Sequence, residues 1–325
     1  MSELAERRVA SCYIALRDQA RTRVEEITIM DDGKDPAVQK RRLRTALREA
    51  RLAANRTQRD AADALDWSPS KVLRIENGAV SVSTTDLRAL LGYYGIKDEA
   101  RIEELIKTAH LARRQSWAAY RDVLSPGYVS YLGYESAASM MLNFQPLMIP
   151  GLLQTEEYAR ATIRVLSSPD ESNQVVDRRV KARLERQKLL TRDDRPTMHF
   201  ILDEAAIRRR VGRSSGLMIR QLEHLKEVAA REKITIQVLP FSEGEHEAMM
   251  GSFVILEFPS ARDEDLLYLE SAQGDLVVRE GVKDTAPYKE TFYKLEDLSR
   301  PKRSLSDDLD RLIEQMRAGD SSGGL

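Results

Sequence analysis

The chain has 325 residues, of which 42% are hydrophobic and 32% charged, and its formal net charge is -1. This length predicts about two domains, and the single cysteine, Cys12, excludes an intramolecular disulfide and a Cys-His zinc cluster. No apolar run is long enough to span a bilayer or to form a secretory signal, so we expect a cytoplasmic protein that binds no membrane.

Residues 3–29 have a helical pattern in which apolar side chains recur every three or four positions. This pattern is typical of an amphipathic helix packed on its own domain, but it also fits a dimer-forming coiled segment. A third alternative is a later start, at Met30. We predict an N-terminal amphipathic helix extension over residues 1–30, followed by a turn-rich linker at 31–36.

Residues 38–54 predict the next helix, with leucines and alanines at packing spacing and the arginines turned outward. Between residues 38 and 77, ten lysines and arginines stand against five acidic residues, which leaves a local charge of +5. A local positive surface is what attraction to nucleic-acid phosphates requires.

The stretch over residues 57–78 predicts two short helices separated by a tight turn. Ser68 is a suitable N-cap for the second helix, because its hydroxyl can accept from a free backbone amide, and Pro69 suits the first helical position. Asn77 and Gly78 tolerate the left-handed conformation that ends a helix.

The second of these helices has two distinct faces. Val72 and Ile75 face inward, whereas Ser70, Lys71 and Arg74 share a polar, cationic edge. Arginine and lysine can donate to guanine, and serine can bond to several bases. The pattern is that of a helix-turn-helix, whose second helix lies in the DNA major groove.

These residues resemble the Xre and phage-repressor class of helix-turn-helix proteins. The resemblance implies base contacts from Ser70, Lys71 and Arg74. It places Gln58 toward a phosphate, and with Arg59 and Ser68 it would position the domain on the DNA backbone. Glu76 matches a glutamate that pairs with an arginine of the first helix, here Arg51, and we expect this pair to be structural.

The chain departs from the family pattern at three positions. Asn55 and Arg56 stand where Gly and Leu usually precede Thr-Gln, and Leu73 stands where a small polar residue is common. Asparagine can adopt the left-handed turn that the glycine would adopt. Arg56, in contrast, replaces an apolar anchor.

Two further helices complete the predicted helix-turn-helix domain over residues 36–115. The first begins at a cap at Ser83 or Thr84, and the second begins at Asp98. The junction that follows contains large aromatic residues, so we expect the two domains to be docked rather than freely tethered.

The second half predicts an α+β domain over residues 120–300 with a mostly antiparallel sheet, then a C-terminal helix and frayed tail over 301–325. Helices are predicted at residues 128–144, 171–190, 204–210, 217–230, 285–297 and 306–318, and strands at 197–202, 234–239, 252–258, 265–271 and 276–279. Residues 272–275 predict a hairpin turn between the last two strands.

Several ordered segments of this half are similar to the domain of unknown biochemistry that accompanies Xre modules in actinobacterial regulators. They are residues 149–159, 183–187, 202–206, 220–225, 238–241 and 251–253. Some of those regulators are encoded beside small partner proteins in toxin-antitoxin-like pairs. The resemblance implies a small-molecule effector or a small protein partner for this domain.

Four polar residues are candidates for contact with such a ligand or partner. Arg183, Arg186 and Gln187 fall on one helical face, and Gln154 lies in the apolar PLMIPGLLQ segment. The three helical residues can clamp an anion, although a solvated face is the more common arrangement. The apolar segment favours a core or a domain interface over a pocket wall.

Asp203, Glu204, His199 and His246 are the residues considered for acid-base or metal chemistry. Adjacent carboxylates where a strand meets a helix more often cap the helix, and the two histidines lack metal-ligand spacing. The nucleotide-binding glycine loops and the nucleophile elbow are also missing from the sequence. We therefore expect no catalytic residue, no metal and no cofactor.

We expect an α+β multidomain protein in which an all-α, Xre/lambda-repressor-like domain precedes the α+β domain. The expected function is sequence-specific transcriptional regulation by a homodimer on double-stranded DNA, read by the helix over residues 69–76. The second domain would sense a ligand or a protein partner. The alternative is an antitoxin-like scaffold that binds a small cognate protein.

Overall fold

The computed structural model describes residues 35–113, 117–260, 263–270 and 276–321. The helix predicted over residues 1–30, most of the 31–36 linker, the hairpin turn at 272–275 and the end of the C-terminal tail lie outside these residues. No helix of the described part is long and apolar enough to cross a membrane.

The N-terminal half folds as five helices around a compact apolar core. They are α1 (Pro36–Ala53), α2 (Gln58–Ala64), α3 (Pro69–Glu76), α4 (Thr84–Tyr93) and α5 (Glu99–Ala112). Leu47, Val72, Leu87 and Leu105 are among the side chains of this core, and each belongs to a different helix. Hydrophobic burial between short amphipathic helices therefore holds the domain together.

Local capping sets where these helices begin. The Ser68 hydroxyl accepts from the Lys71 amide at 3.2 Å, with Pro69 in the first turn, as predicted. Ser83, rather than Thr84, caps α4, and Asp98 caps α5.

Residues with a left-handed backbone form the bends around α2 and α3. Asn55 has φ 52° and Asp66 has φ 54°, so both short-side-chain residues supply the sharp bends before α2 and α3. Gly78, with φ 66°, ends α3, whereas Asn77 stays right-handed, so only one of the two predicted residues adopts the left-handed conformation.

The C-terminal half contains a six-stranded sheet with helices on both faces. Its strands are β1 (Met140–Gln145), β2 (Thr197–Asp203), β3 (Ile234–Leu239), β4 (Phe253–Glu257), β5 (Leu266–Glu270) and β6 (Leu276–Glu280). Its helices are α6 (Pro126–Ala137), α7 (Glu156–Leu166), α8 (Asn173–Gln187), α9 (Glu204–Arg208), α10 (Ser215–Ala229), α11 (Val282–Leu298) and α12 (Leu305–Ser321).

The sheet is mixed, in the order β3-β2-β1-β4-β5-β6. The three pairings from β1 to β6 are antiparallel, and β1-β2 and β2-β3 are parallel. The predicted mostly antiparallel sheet is confirmed, since three of the five pairings are antiparallel, and the two parallel pairings were not predicted. Parallel neighbours need long crossovers, which helices α7 to α10 provide here.

The prediction of one helix over residues 128–144 is wrong. Helix α6 ends at Ala137, and residues 140–145 form β1, which pairs with strands on both sides. Four consecutive residues of β1 are buried, so the strand lacks the polar-apolar alternation that marks a half-exposed strand. An apolar run of this length is compatible with either structure.

Each face of the sheet has its own core. Met141, Phe200 and Tyr268 belong to the larger cluster, which α10 and α12 complete. Phe144 and Phe253 face the other way and pack with α11. Side chains alternate in direction along a strand, so neighbouring residues of β1 serve opposite cores.

The two halves meet along α1 and α6. A side chain at Gly133 of α6 would place its Cβ 2.7 Å from the Ala37 Cβ, so the two helices approach closely at this point. The prediction that the arginines of α1 point outward is wrong for three of them. Arg41, Arg42 and Arg44 pair with acidic residues of the second half.

Candidate nucleic-acid interface

Helix α3 presents an exposed face that differs from the predicted edge. Ser70, Leu73, Arg74 and Asn77 are all exposed, and their spacing places them on one side of the helix. The opposite side is buried. Leu73 is 44% exposed between the two polar residues, so it belongs to the surface that a partner of this helix would contact.

Sequence reasoning did not include Leu73 in the candidate surface. The available signal was its departure from the small polar residue of the family pattern. A large apolar residue at a position that faces outward is a feature of contact surfaces. The helical period alone could have placed Leu73 next to Ser70 and Arg74.

Lys71 is engaged within the domain. Its Nζ lies 3.0 Å from Asp86 Oδ1 and 3.6 Å from the centre of the Trp67 ring. The Asp86 carboxylate and the aromatic face both attract the ammonium group. Lys71 therefore differs from Arg74, which is exposed and forms no ion pair with a described residue.

A buried ion pair orients α3 against α1. Arg51 Nε donates to Glu76 Oε1 at 2.7 Å, and Arg51 Nη1 donates to the Arg56 carbonyl at 2.8 Å. The hydrogen bond that Arg51 donates to Glu76 raises the pKa of Arg51, although burial lowers it. The pair thereby connects the first helix, the turn before α2 and the end of α3.

Gln58 also bonds to this pair. Its Nε2 donates to Glu76 Oε2 at 2.8 Å, whereas the family resemblance directs this side chain toward a phosphate. The amide nitrogen carries two hydrogens, so one is still available for an external acceptor. Arg59 is exposed beside it, and the Ser68 hydroxyl is used as the α3 cap.

Arg56, which replaces the apolar anchor of the family, has an alternative contact. Its guanidinium lies 5.5 Å from the centre of the Tyr93 ring. A guanidinium packs well against an aromatic face, so the side chain covers the core edge and keeps its charge at the surface.

The local charge of +5 is only partly available to an external partner. Five of the ten cations between residues 38 and 77 form ion pairs within the chain: Arg41, Arg42, Arg44, Arg51 and Lys71. The other five form none with the described residues: Lys40, Arg48, Arg56, Arg59 and Arg74. The unpaired cations include two of the residues predicted to contact DNA.

The three paired arginines near the start of α1 bind the second half of the chain. Arg42 Nε lies 3.0 Å from Asp263 Oδ1, and Arg44 Nη2 lies 2.6 Å from Glu280 Oε1. Arg41 is only 5% exposed and donates to the Glu264 carbonyl at 2.7 Å. These contacts lie more than 220 positions apart in sequence, which is why the sequence pattern did not reveal them.

The four candidate ligand residues of the second half come together around one turn. Arg183 Nη1 donates to Gln154 Oε1 at 2.6 Å, and Gln187 Nε2 donates to the Gln154 carbonyl at 2.6 Å. Gln187 also donates to the Gly151 carbonyl at 2.9 Å. The residues therefore fasten the 149–154 turn to α8, and they do not form the solvated face that was favoured.

Arg186 lies in a buried network with α6. Its Nε donates to Glu135 Oε2 at 2.7 Å, and its Nη1 donates to the Tyr128 hydroxyl at 2.9 Å. The Tyr131 hydroxyl donates to Glu135 Oε1 at 2.8 Å. Burial disfavours the charged guanidinium, but the Glu135 carboxylate raises the pKa of Arg186 well above its ordinary value.

Three of the four residues considered for catalysis form structural contacts, whereas His246 Nε2 lies 3.7 Å from Asp203 Oδ2 and its buried Nδ1 has no hydrogen-bond partner among the described residues. Asp203 Oδ1 accepts from the Ala205 amide at 2.7 Å and so caps α9, and Glu204 Oε2 accepts from the Phe241 amide at 2.8 Å. His199 Nε2 lies 2.7 Å from Gln237 Oε1. Within the described ranges, no three His, Cys, Asp or Glu side chains are grouped so that they could hold a metal ion.

Comparison with protein families places both halves. Residues 128–306, more than half of the chain, match a domain of unknown function (DUF5753). The chain belongs to the DUF5753 family. Residues 42–105 match a helix-turn-helix domain, which suggests DNA binding. Comparison with curated proteins and with solved structures found no match.

Proposed function

We propose that this DUF5753 protein is a cytoplasmic, sequence-specific transcriptional regulator of the Xre type that reads the DNA major groove with α3. The observation that carries the proposal is the exposed face of Ser70, Leu73 and Arg74 on a helix that the buried Arg51-Glu76 pair holds in place. Preorganised side chains on a rigid helix can discriminate bases without first paying the entropy of ordering.

Each exposed residue has a base contact suited to its chemistry. Arg74 can donate two parallel hydrogen bonds to guanine, and the Ser70 hydroxyl can bond to several bases. Leu73 can contact the methyl group of thymine. Lys71 can join these contacts when a base or phosphate replaces Asp86 as its partner. Gln58, Arg59 and Ser68 would position the domain on phosphates.

The regulator would bind DNA as a homodimer. One helix of eight residues covers too few base pairs to select a site in a genome, and two copies on half-sites about one helical turn apart solve this problem. The DUF5753 domain would then modulate binding, because it holds the start of α1 through Arg41, Arg42 and Arg44.

The test is selection of bound sequences from a random pool, followed by gel-shift titration of variants. Arg74→Ala should cost about 1–3 kcal/mol in binding free energy and relax the preference at one base pair. Arg59→Ala should weaken binding to all sequences alike and reduce the salt dependence by about one phosphate contact.

The matched control is Arg101→Ala, which removes an exposed arginine of α5 that pairs with Glu104. This variant should bind like the unaltered protein. The proposal fails if Arg74→Ala retains both the affinity and the sequence preference.

A protein partner is the second candidate role, and it matches the antitoxin-like alternative. The segment between β3 and β4 exposes Phe241, Met249 and Met250, the last to 97%. Exposed apolar side chains are typical of contact surfaces. A small cognate protein encoded next to the gene should co-purify with the chain, and Met250→Glu should prevent this. Co-purification that Met250→Glu does not affect would exclude this surface.

A further inference from the structure

A cleft in the DUF5753 domain lies between the sheet and helices α6, α7 and α8. It has a volume of about 160 Å³, and the 149–154 turn forms one wall. An apolar cavity of about 150 Å³ is known to accommodate a benzene ring. The cleft is therefore large enough for the body of a small organic molecule.

The charge of the lining is positive. Arg183 and Arg186 line the cleft, and none of its lining residues is an aspartate or glutamate. Glu135, which does not line the cleft, neutralises the charge of Arg186. Arg183 has only the neutral Gln154 as a partner among the described residues. One positive charge therefore remains in excess, which matches a ligand with a single negative charge better than a doubly charged phosphate.

The two guanidinium groups converge at Gly151. A Cβ at this position would lie 2.9 Å from Arg186 Nη1 and 3.0 Å from Arg183 Nη1. Arginine has five N–H donors, and the contacts with Glu135, Tyr128 and Tyr131 use four of those of Arg186. The remaining donor is on Nη1. Arg183 Nη1 also keeps one N–H donor after its bond to Gln154. Each arginine therefore has an N–H donor available beside Gly151, and two such donors suit a carboxylate.

A buried acceptor also lines the cleft. Asn143 is 2% exposed on the central strand β1, and its Oδ1 has no hydrogen-bond partner in the described part of the chain. A buried acceptor without a partner costs about 1–3 kcal/mol. A hydroxyl or N–H group of a bound molecule would satisfy it.

The remaining lining includes a group of apolar side chains. Met148, Ile149, Ile163 and Val254 line the same cleft as Asn143 and the arginines. Pockets of this kind bind a molecule through its apolar body and orient it by a few polar groups.

We propose that this cleft binds a small monocarboxylate that has an apolar body and one hydrogen-bond donor. The carboxylate would lie between Arg183 and Arg186, and the donor would bond to Asn143 Oδ1. The inference deepens the proposed function, because the ligand would be the effector of the DUF5753 domain. Binding itself does not depend on DNA recognition.

Helix α6 connects the cleft to the reading domain. Tyr128, Tyr131 and Glu135 of this helix contact Arg186, and Gly133 of the same helix packs against the start of α1. A ligand that repositions Arg186 would therefore act on a helix that touches both domains.

The experiment measures acid binding to the full chain by calorimetry and by thermal unfolding, without DNA. The probes are 4-hydroxyphenylacetate, phenylacetate and the neutral 4-hydroxyphenylacetamide. We expect 4-hydroxyphenylacetate to bind and to raise the unfolding temperature. The amide should bind at least about tenfold more weakly, because it lacks the charge that the arginines recognise. Phenylacetate should bind more weakly than its hydroxylated analogue because it leaves Asn143 without a partner.

Variants locate the bound acid. Arg183→Gln should weaken 4-hydroxyphenylacetate binding by about tenfold or more. Arg183→Lys keeps the charge but loses the planar guanidinium, so its affinity should lie between those of the unaltered protein and Arg183→Gln. Gly151→Ala should abolish binding, since its Cβ would occupy the point between the guanidinium groups. The control is Arg160→Gln, an exposed arginine of the neighbouring α7 that pairs with Asp177 and Glu156, which should not change binding.

The unfolding temperature of each variant is measured first without ligand, so that a variant with a damaged fold is recognised. If Arg183→Gln or Gly151→Ala is damaged, the affinity of Arg183→Lys provides the test. The proposal is wrong if neither acid stabilises the chain at millimolar concentration, or if the acid and the amide bind equally. It is also wrong if inorganic phosphate displaces the acid as effectively as phenylacetate does. Loss of DNA recognition in the Arg74→Ala experiment would leave these outcomes unchanged, so the two proposals fail separately.

Discussion

The two halves of the molecule each contain a buried arginine-glutamate pair, and the pairs differ in their surroundings. In the helix-turn-helix domain, Glu76 accepts from Arg51, Gln58 and Tyr94, so the pair is enclosed by its own domain. In the DUF5753 domain, Glu135 accepts from Arg186 and Tyr131, but Arg186 also lines a cleft.

The same type of ion pair thus occurs once enclosed within a domain and once beside a cleft. A buried pair contributes little net stability, because desolvation of both charges offsets their attraction. The pair instead fixes the positions of the side chains and helices that it joins. Arg51 fixes the orientation of α3, whereas Arg186 keeps one N–H donor free beside Arg183.

The largest expected effect comes from removing one carboxylate of each pair. Glu76→Ala and Glu135→Ala should each lower the free energy of unfolding by roughly 3–5 kcal/mol, because each leaves a buried guanidinium without its partner. Urea denaturation of the full chain measures the change.

Apolar double replacement separates a brace from a binding surface. Arg51→Met with Glu76→Leu should recover most of the lost stability, since no buried charge remains. Arg186→Met with Glu135→Leu should also recover stability, but it should lose acid binding. Equal stability of the single and double variants would contradict this account of either pair.

A smaller effect is expected from the tyrosines beside the two pairs. Tyr131→Phe removes a donor to Glu135 at 2.8 Å and an acceptor for Arg186, so we expect a loss of about 1.5–3 kcal/mol. Tyr94→Phe removes one longer bond to Glu76, at 3.3 Å, and should cost about 1 kcal/mol. Thermal and urea unfolding provide the measurement.

Tyr93→Phe is the control for this series, because the Tyr93 hydroxyl forms no hydrogen bond with a described residue. It should leave the free energy of unfolding nearly unchanged. If Tyr94→Phe cost more than Tyr131→Phe, the number and length of the hydrogen bonds that each tyrosine forms would not determine the loss of stability.

The smallest effect is expected from the partly exposed pair between the domains. Arg44→Gln removes a partner of Glu280, and because the two side chains are 32% and 33% exposed, we expect a loss of about 1 kcal/mol or less. Arg48→Gln, on the same helix but without a described partner, should change stability by less. Unfolding at low and high salt should bring the two variants together, since salt screens exposed pairs. A difference that salt does not reduce would indicate that Arg44 acts through packing.

Sequence reasoning succeeded where local chemistry sets the structure. Ser68, Ser83 and Asp98 cap their helices, and the strand over residues 234–239 has the predicted bounds. These features depend on neighbours in sequence, so residue type and spacing contain the information.

It failed where a residue depends on a distant partner. β1 was missed because a fully buried strand has no alternation, and Glu135 was not considered because it lies within a helical pattern. The cationic face of α1 was assigned to solvent because Asp263 and Glu280 are remote in sequence. For the same reason, Gln154 and Arg183 were candidates without a known site until the fold brought them to one turn.

The amino-acid sequence by itself determined the helix-turn-helix, its caps and turns, and the outward position of Ser70 and Arg74, because backbone hydrogen bonding and helical period act over a few residues. Only the tertiary structure decided which cations remain unpaired and where a cleft forms. Charge neutralisation and cavity shape are set by side chains that meet in space, and the chain order does not contain those distances.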